Sequence, residues 1–202
     1  MKVRDQIPTA ENSTNFDVVP DSKTEVRSTL DNLKAAVMGE TGASAKYRAF
    51  AEAAREQGYH QIARLFEATA EAEQIHISLE TGVIQQTEPD YEKPEPPEMS
   101  GIQTDVNLIN SALGEIYETS DMYPSFIKKA QEEGENRAVA VFTRAKLAES
   151  VHAELYMNAY NDIDSEDDSD YYLCPVCGFI HKGKYEGKCP ICFTPGDKFR
   201  KF

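Results

Sequence analysis

The sequence predicts a mainly α-helical fold, a four-helix bundle built from two helical hairpins, followed by a small cysteine-rich metal module. Three observations predict it. An acidic residue followed about 33 positions later by Glu-x-x-His occurs twice, as Glu40 with Glu73–His76 and as Glu115 with Glu149–His152. Each copy is interrupted by a glycine, Gly58 or Gly134, at nearly the same offset. All four cysteines fall between Cys174 and Cys192, in two C-x-x-C pairs.

Residues three apart share a face of an α-helix, so each Glu-x-x-His aims a carboxylate and an imidazole in one direction. Two lone-Glu helices and two Glu-x-x-His helices, all facing inward, form the ligand set of dinuclear carboxylate bundles. Glu118 adds a further acid to the second copy. The offsets agree with two hairpins. Glu40 precedes Gly58 by 18 residues and Glu73 follows it by 15, while Glu115 precedes Gly134 by 19 and Glu149 follows it by 15. At ~1.5 Å per residue every ligand lies roughly 22–29 Å from its turn, so all fall at one level of the bundle.

Residues 1–20 read as an extended N-terminal arm, 21–165 as the bundle and 166–202 as the metal module. Ser22-x-x-Glu25 has the form of a capping box, opening a first helix that runs to about Gln57. Its inward stripe is Leu33, Val37, Glu40, Ser44 and Tyr47, and Gly58 is its stop. The second helix runs to about Gln85 along Ile62, Phe66, Thr69, Glu73, His76 and then Leu79 or Glu80. The proline-rich stretch 87–104 cannot be helical. One long connection between two short ones marks a crossover, as in ferritin-like bundles. A third helix from Thr104 to Glu133 contains Pro124, which predicts a kink or break. A fourth spans roughly 135–160, and the acidic linker Asp162–Asp170 leads to the cysteines.

Composition narrows the function classes. The net charge is −14, yet residues 171–202 carry six Lys/Arg against two Asp/Glu. Residues 171–202 are therefore +4 and the remainder −18, which makes nucleic acid a poor partner for the bundle. No run of about 18 apolar residues is present, so no membrane span is expected. Met1–Gln6 lacks an apolar signal core, and a cytoplasmic location is the expectation. Clustered C-x-x-C pairs suit metal binding better than disulfides in a reducing compartment.

The acids and histidines of the motif fall on the same stripes as apolar residues, where uncompensated charge is costly. Cations would offset them. Oxygen donors with two imidazoles suit iron or manganese. The knuckles Cys174-Pro-Val-Cys177 and Cys189-Pro-Ile-Cys192, separated by eleven residues, provide a four-thiolate site for iron or zinc.

The whole chain resembles the rubrerythrin family. The resemblance rests on Gly39–Ala43, Tyr47, Glu73–His76, Gly114–Glu118, Met122–Pro124, Glu149–His152 and the two knuckles. It implies a ferritin-like di-iron bundle followed by a rubredoxin-like domain holding one iron on Cys174, Cys177, Cys189 and Cys192. It further implies that Glu40, Glu73, Glu115, Glu118, Glu149 and His152 bind the two irons, with Glu73 and Glu149 bridging. Glu118 and His76 would exchange as ligands on reduction, and Tyr47 and Tyr123 would donate hydrogen bonds to ligating carboxylates. Relative to isolated rubredoxins, the gap between knuckles is much shorter and tryptophan is absent.

The activity so implied is reduction of hydrogen peroxide to water by a non-haem di-iron peroxidase in oxidative-stress defence. Electrons would arrive through the thiolate-bound iron from an electron-donor protein, a rubredoxin or an NAD(P)H-dependent reductase. No glycine-rich nucleotide fingerprint is present, so NAD(P)H is expected to act through that separate reductase. The resemblance also implies a head-to-tail homodimer in which each thiolate iron serves the partner's di-iron site. The alternatives are a ferroxidase or dioxygen-reducing oxidase on the same bundle, or an iron-binding protein with a zinc-ribbon tail.

Overall fold

The computed structural model describes residues 18–202, so most of the expected arm, residues 1–17, lies outside the described residues. Among the described residues five α-helices form the bundle: α1 (Thr29–Glu56), α2 (His60–Ile84), α3 (Thr104–Tyr117), α4 (Tyr123–Glu133) and α5 (Asn136–Asn161). The segment Glu118–Met122, between α3 and α4, is a π-helix, so α3 and α4 together make up the third arm of the bundle.

Both short turns have one construction. Gly58 (φ +87°) and Gly134 (φ +76°) adopt the left-handed conformation that closes a helix. Behind Gly58, the Tyr59 N–H donates to the Ala54 carbonyl at 2.8 Å. Behind Gly134, the Glu135 N–H donates to the Ala130 carbonyl at 2.9 Å. The carbonyls left open at each helix end are satisfied in this way, and the chain reverses. Residues 88–103 cross between the hairpins without regular structure.

Two sequence expectations are refined here. Helix α1 begins at Thr29, capped by Ser28, whose hydroxyl accepts from the Asp31 N–H at 3.2 Å. Ser22 caps no helix. Its hydroxyl and the Lys23 N–H both donate to the Asp121 carboxylate of the π segment. A long-range acceptor has outcompeted the local capping pattern, and the chain enters the bundle extended. Pro124 breaks the third arm as expected. It sits in the first turn of α4, where its missing N–H costs nothing, and the break itself takes the form of the wide π turn before it.

The bundle core is split. One apolar cluster holds Tyr47, Phe50, Phe66 and Tyr156. The other holds Leu33, Val37, Ile77, Tyr123 and Phe142. Full burial of a phenylalanine such as Phe66 or Phe142 stabilises the fold by about 1.5–3 kcal/mol. Both clusters are large enough to flank a layer of buried acids. At the C-terminus, β1 (Tyr171–Leu173), β2 (Ile180–Lys182) and β3 (Arg200–Lys201) form an antiparallel sheet of order β2-β1-β3. Tyr171, Leu173 and Ile180 of this sheet pack into the first bundle cluster. Among the described residues no helix is long and apolar enough to cross a membrane.

Candidate metal centres

The acids and histidines on α1, α2, α3 and α5 meet inside the bundle. Glu40, Glu73, Glu115, Glu149, His76 and His152 are all fully buried. Their donor atoms form two groups, each within 4.8 Å: Glu40, Glu73, His76 and Glu149, and Glu73, Glu115, Glu149 and His152. Glu73 and Glu149 belong to both, the position of carboxylates shared by two ions. Glu118 belongs to neither group and stays partly exposed at the first residue of the π segment. His76 is the member of the Glu118–His76 pair that sits in the cluster, its Nδ1 2.7 Å from Glu149 Oε1 and 3.1 Å from Glu73 Oε2.

The imidazoles are oriented from outside the bundle. His152 Nε2 lies 2.8 Å from the Gly178 carbonyl and His76 Nε2 lies 3.2 Å from the Cys177 carbonyl. A carbonyl only accepts, so both Nε2 atoms carry a proton and both Nδ1 atoms face the carboxylates. The rings lie nearly parallel, 6.2 Å between centroids. Tyr47 donates to Glu115 Oε1 at 2.5 Å and Tyr123 donates to Glu40 Oε1.

Electrostatics identify what the layer is built for. Burial, and then neighbouring carboxylates, push Glu40, Glu73 and Glu149 well above the usual carboxylate range. Burial opposes charge on the two imidazoles as well, but Glu149 beside His76 and Glu115 beside His152 overcome it, raising each to about 9. Burial also opposes charge on Glu115, yet His152 and the Tyr47 hydroxyl outweigh it and hold that carboxyl low. Buried carboxylate oxygens on Glu40, Glu73, Glu115 and Glu149, with His152 Nδ1, have no hydrogen-bond partner among the described residues. Uncompensated atoms of this kind cost several kcal/mol in a protein interior, and a pair of cations satisfies them together. The residues fit a dinuclear metal site.

The second cluster is the four cysteines. Cys174 Sγ lies 3.4 Å from Cys192 Sγ and Cys177 Sγ lies 3.4 Å from Cys189 Sγ, with all four within 4.8 Å. The two knuckles are built alike. Gly178 N–H donates to the Cys174 carbonyl and Phe193 N–H donates to the Cys189 carbonyl, and both residues take positive φ, +79° and +62°. Each loop therefore curls around its sulfurs. The acidic linker folds back from the end of α5, Asp168 pairing with Arg64 and Arg200 meeting Glu71 at 3.3 Å. The knuckle is thereby brought onto His76 and His152 of its own chain. In the single chain this contact is made between the module and its own bundle.

The rubrerythrin family profile matches residues 31–160. The chain is 66% identical to nigerythrin from Nitratidesulfovibrio vulgaris over 202 residues, covering all of both chains. It is 32% identical to rubrerythrin-2 from Clostridium acetobutylicum over 177 residues, covering 86% of this chain and 96% of that one. The chain belongs to the rubrerythrin family. A solved structure of nigerythrin in its fully reduced, all-ferrous state superposes with a TM-score of 0.91, at 66% identity and full coverage of both chains. With this family membership, the two clusters are a carboxylate–histidine di-iron site and a rubredoxin-like four-cysteine site on a ferritin-like fold.

The sequence left the choice between Leu79 and Glu80 open and gave no sign of Thr194. Glu80, one turn beyond His76, is 1% exposed, while its rival for the stripe, Leu79, is only half-buried. Thr194 places its hydroxyl 3.1 Å from Cys192 Sγ. A hydroxyl donating to a thiolate stabilises the more negative, reduced state of a bound redox metal. Thr194→Val should remove about 1 kcal/mol of this stabilisation and lower the one-electron potential by roughly 40 mV. Potentiometric titration of the thiolate colour checks it, and an unchanged potential would show that the hydroxyl donates elsewhere.

Proposed function

We propose that the protein is a peroxidase that reduces hydrogen peroxide to water in oxidative-stress defence. The observation that carries this reading is the direct contact of both site imidazoles with the knuckle peptide of a four-cysteine centre. A storage or purely oxygen-binding bundle has no use for a one-electron centre wired to its ligands. Iron at both sites follows the all-ferrous relative, and the pair supplies the two electrons that peroxide reduction needs.

The chain's own residues prepare that site. Glu40, Glu73, Glu115, Glu149 and His152 would hold the irons, Glu73 and Glu149 belonging to both groups of donors. Tyr47 and Tyr123 fix Glu115 and Glu40 in place and withdraw charge from them. Glu118 and His76 serve as alternative ligands, and the π turn leaves Glu118 outside the cluster while His76 occupies it. The apolar clusters above and below keep bulk water from the acids. The carbonyls of Cys177 and Gly178 hold the imidazoles and shorten the route from sulfur to Nδ1. Electrons reach the thiolate iron from an electron-donor protein, supplied by NAD(P)H through a separate reductase. The contact within one chain supports delivery along it, and a head-to-tail homodimer remains part of the reading.

Anaerobic mixing tests the reading. The fully reduced protein, mixed with peroxide, should regain its ferric-thiolate colour quickly, and at one rate at every protein concentration. Mixing with dioxygen should restore the colour slowly. Faster return with dioxygen would make the protein an oxidase, and absence of thiolate colour would remove iron from the cysteine site.

A further inference from the structure

The two knuckles of the cysteine module share one fold and have opposite surroundings. The first, residues 174–177, is closed by Gly178 and pressed against the bundle, where a methyl group at Gly178 would stand 2.5 Å from His76 Nε2. The second, residues 189–192, is closed by Phe193 and turned to solvent. Phe193 is 72% exposed, more than any other large apolar residue among those described. Around it, Pro190 and Pro195 are exposed and Ile191 is half-buried. Cys192 beside it is the one cysteine of the four that is not buried. The φ of Phe193 is +62°, a conformation that glycine takes freely and a bulky side chain does not. Strain of this kind, with an aromatic ring held out into water, points to a surface kept for a partner.

We propose that the second knuckle is where an acidic one-electron carrier protein docks, with the Phe193 ring as its apolar anchor and Lys188 as its charge contact. This rests on the reading that electrons enter through the four-cysteine iron. Each encounter moves one electron from the reduced carrier to that iron. The carrier is oxidised and the iron reduced, with no bond made or broken and no proton moved. The current then has a direction: in at Cys192 of the second knuckle, and out through the Cys177 carbonyl of the first toward His76.

Charge and size argue for this partner. Residues 171–202 carry six Lys/Arg against two Asp/Glu, while the remainder of the chain is −18. An acidic carrier is therefore repelled by the bundle and attracted by the module, which steers it to the cysteines. Lys188 immediately precedes the knuckle, and its backbone pairs with Pro195 across the loop. It is exposed and has no ion pair among the described residues, unlike Lys182, Lys184 and Lys201, which are held by Asp167, Glu186 and Asp170. Electron-transfer encounters use small, transient interfaces, so one aromatic ring and one free cation on the same loop suffice.

The test titrates the full, iron-loaded protein with an acidic rubredoxin whose iron has been replaced by zinc, and reads binding by calorimetry at low salt. No electron passes, so affinity is measured apart from turnover. Phe193→Gly should weaken binding about 10-fold, the scale of an aromatic anchor. It should keep the thiolate colour and melt no lower, because glycine relieves the strained φ. Lys188→Glu should weaken binding several-fold at low salt, a difference that closes in high salt. Leu113→Ser, which removes an exposed apolar side chain of α3, should leave the affinity unchanged. Absence of binding by the unaltered protein, affinity indifferent to Phe193→Gly, or an equal loss in Leu113→Ser would each overturn the docking site. So would sedimentation showing that Phe193→Gly splits a dimer into monomers, since the face would then belong to a second copy of this chain. Failure of reduced, iron-containing rubredoxin to reduce the ferric thiolate would count against the electron-entry reading, while the zinc titration alone still decides where the carrier docks.

Discussion

Stripping the metal ions will lower the thermal stability of the protein and make the remaining stability fall steeply as pH rises. The metal-free layer contains Glu40, Glu73 and Glu149, whose carboxyls are raised by burial and then by neighbouring carboxylates. A carboxyl that binds its proton more tightly folded than unfolded destabilises the fold above its folded pKa. That penalty is absent below the unfolded value near 4.5. His76 and His152 act with the same sign. Raised from 6.5 to about 9, they contribute stability that is complete below 6.5 and lost as pH climbs through about 9. Glu115, held low, acts oppositely but only below the ordinary carboxyl value. Between about pH 5 and pH 8 each extra proton bound by the folded chain is worth about 1.4 kcal/mol per pH unit. Melting curves of chelated and metal-loaded protein across that window decide the matter. The loaded protein should be nearly flat and the metal-free protein steep. A metal-free curve that is flat or rises with pH would mean that the acids find other partners without metal.

Gly178→Ala will separate the thiolate module from the bundle imidazoles. Two penalties coincide at this position. Its φ of +79° disfavours any side chain, and a methyl group there would stand 2.5 Å from His76 Nε2. Together they cost about 1–3 kcal/mol, a loss of several degrees in melting temperature for a chain of this size. The larger effect is on electron passage. The Cys177 and Gly178 carbonyls must withdraw from both histidines, so return of the thiolate colour after peroxide should slow markedly while the colour itself remains. Gly183→Ala is the control, with φ +81° and open space around the added methyl. It carries the conformational cost without the collision, and its electron passage should match the unaltered protein. Equal slowing in both variants would trace the effect to module stability and not to the histidine contact.

The helical hairpins were legible because their signals are local and periodic. Glycine stops at 58 and 134 and the stripe from Leu33 to Tyr47 depend on neighbouring residues alone. The acids and histidines of the metal layer share that legibility, since Glu-x-x-His spacing and the helix period aim them together. The failures are long-range. Ser22-x-x-Glu25 has the local form of a cap, but Asp121, a hundred residues away, claims Ser22. Leu79 and Glu80 are adjacent on the stripe, and only the packed interior assigns burial to the acid. The docking of the cysteine module leaves no trace in residue types, because it is made by the backbone carbonyls of Cys177 and Gly178 and by an acidic linker whose fold depends on Arg64.

The π segment has a consequence for rotational phase. Glu115 and Tyr123 both face the bundle interior, eight residues apart. At about 100° per residue, an uninterrupted α-helix would leave them about 80° out of alignment. The wide turn absorbs one residue and brings them within about 20°, so a carboxylate of α3 and a phenol of α4 reach the same layer. Shortening Glu118–Met122 by one residue would restore a regular helix with that alignment intact and the bundle undisturbed. The third arm is thus a helix carrying one stored increment of length at Glu118–Met122, set between the acid of α3 and the phenol of α4.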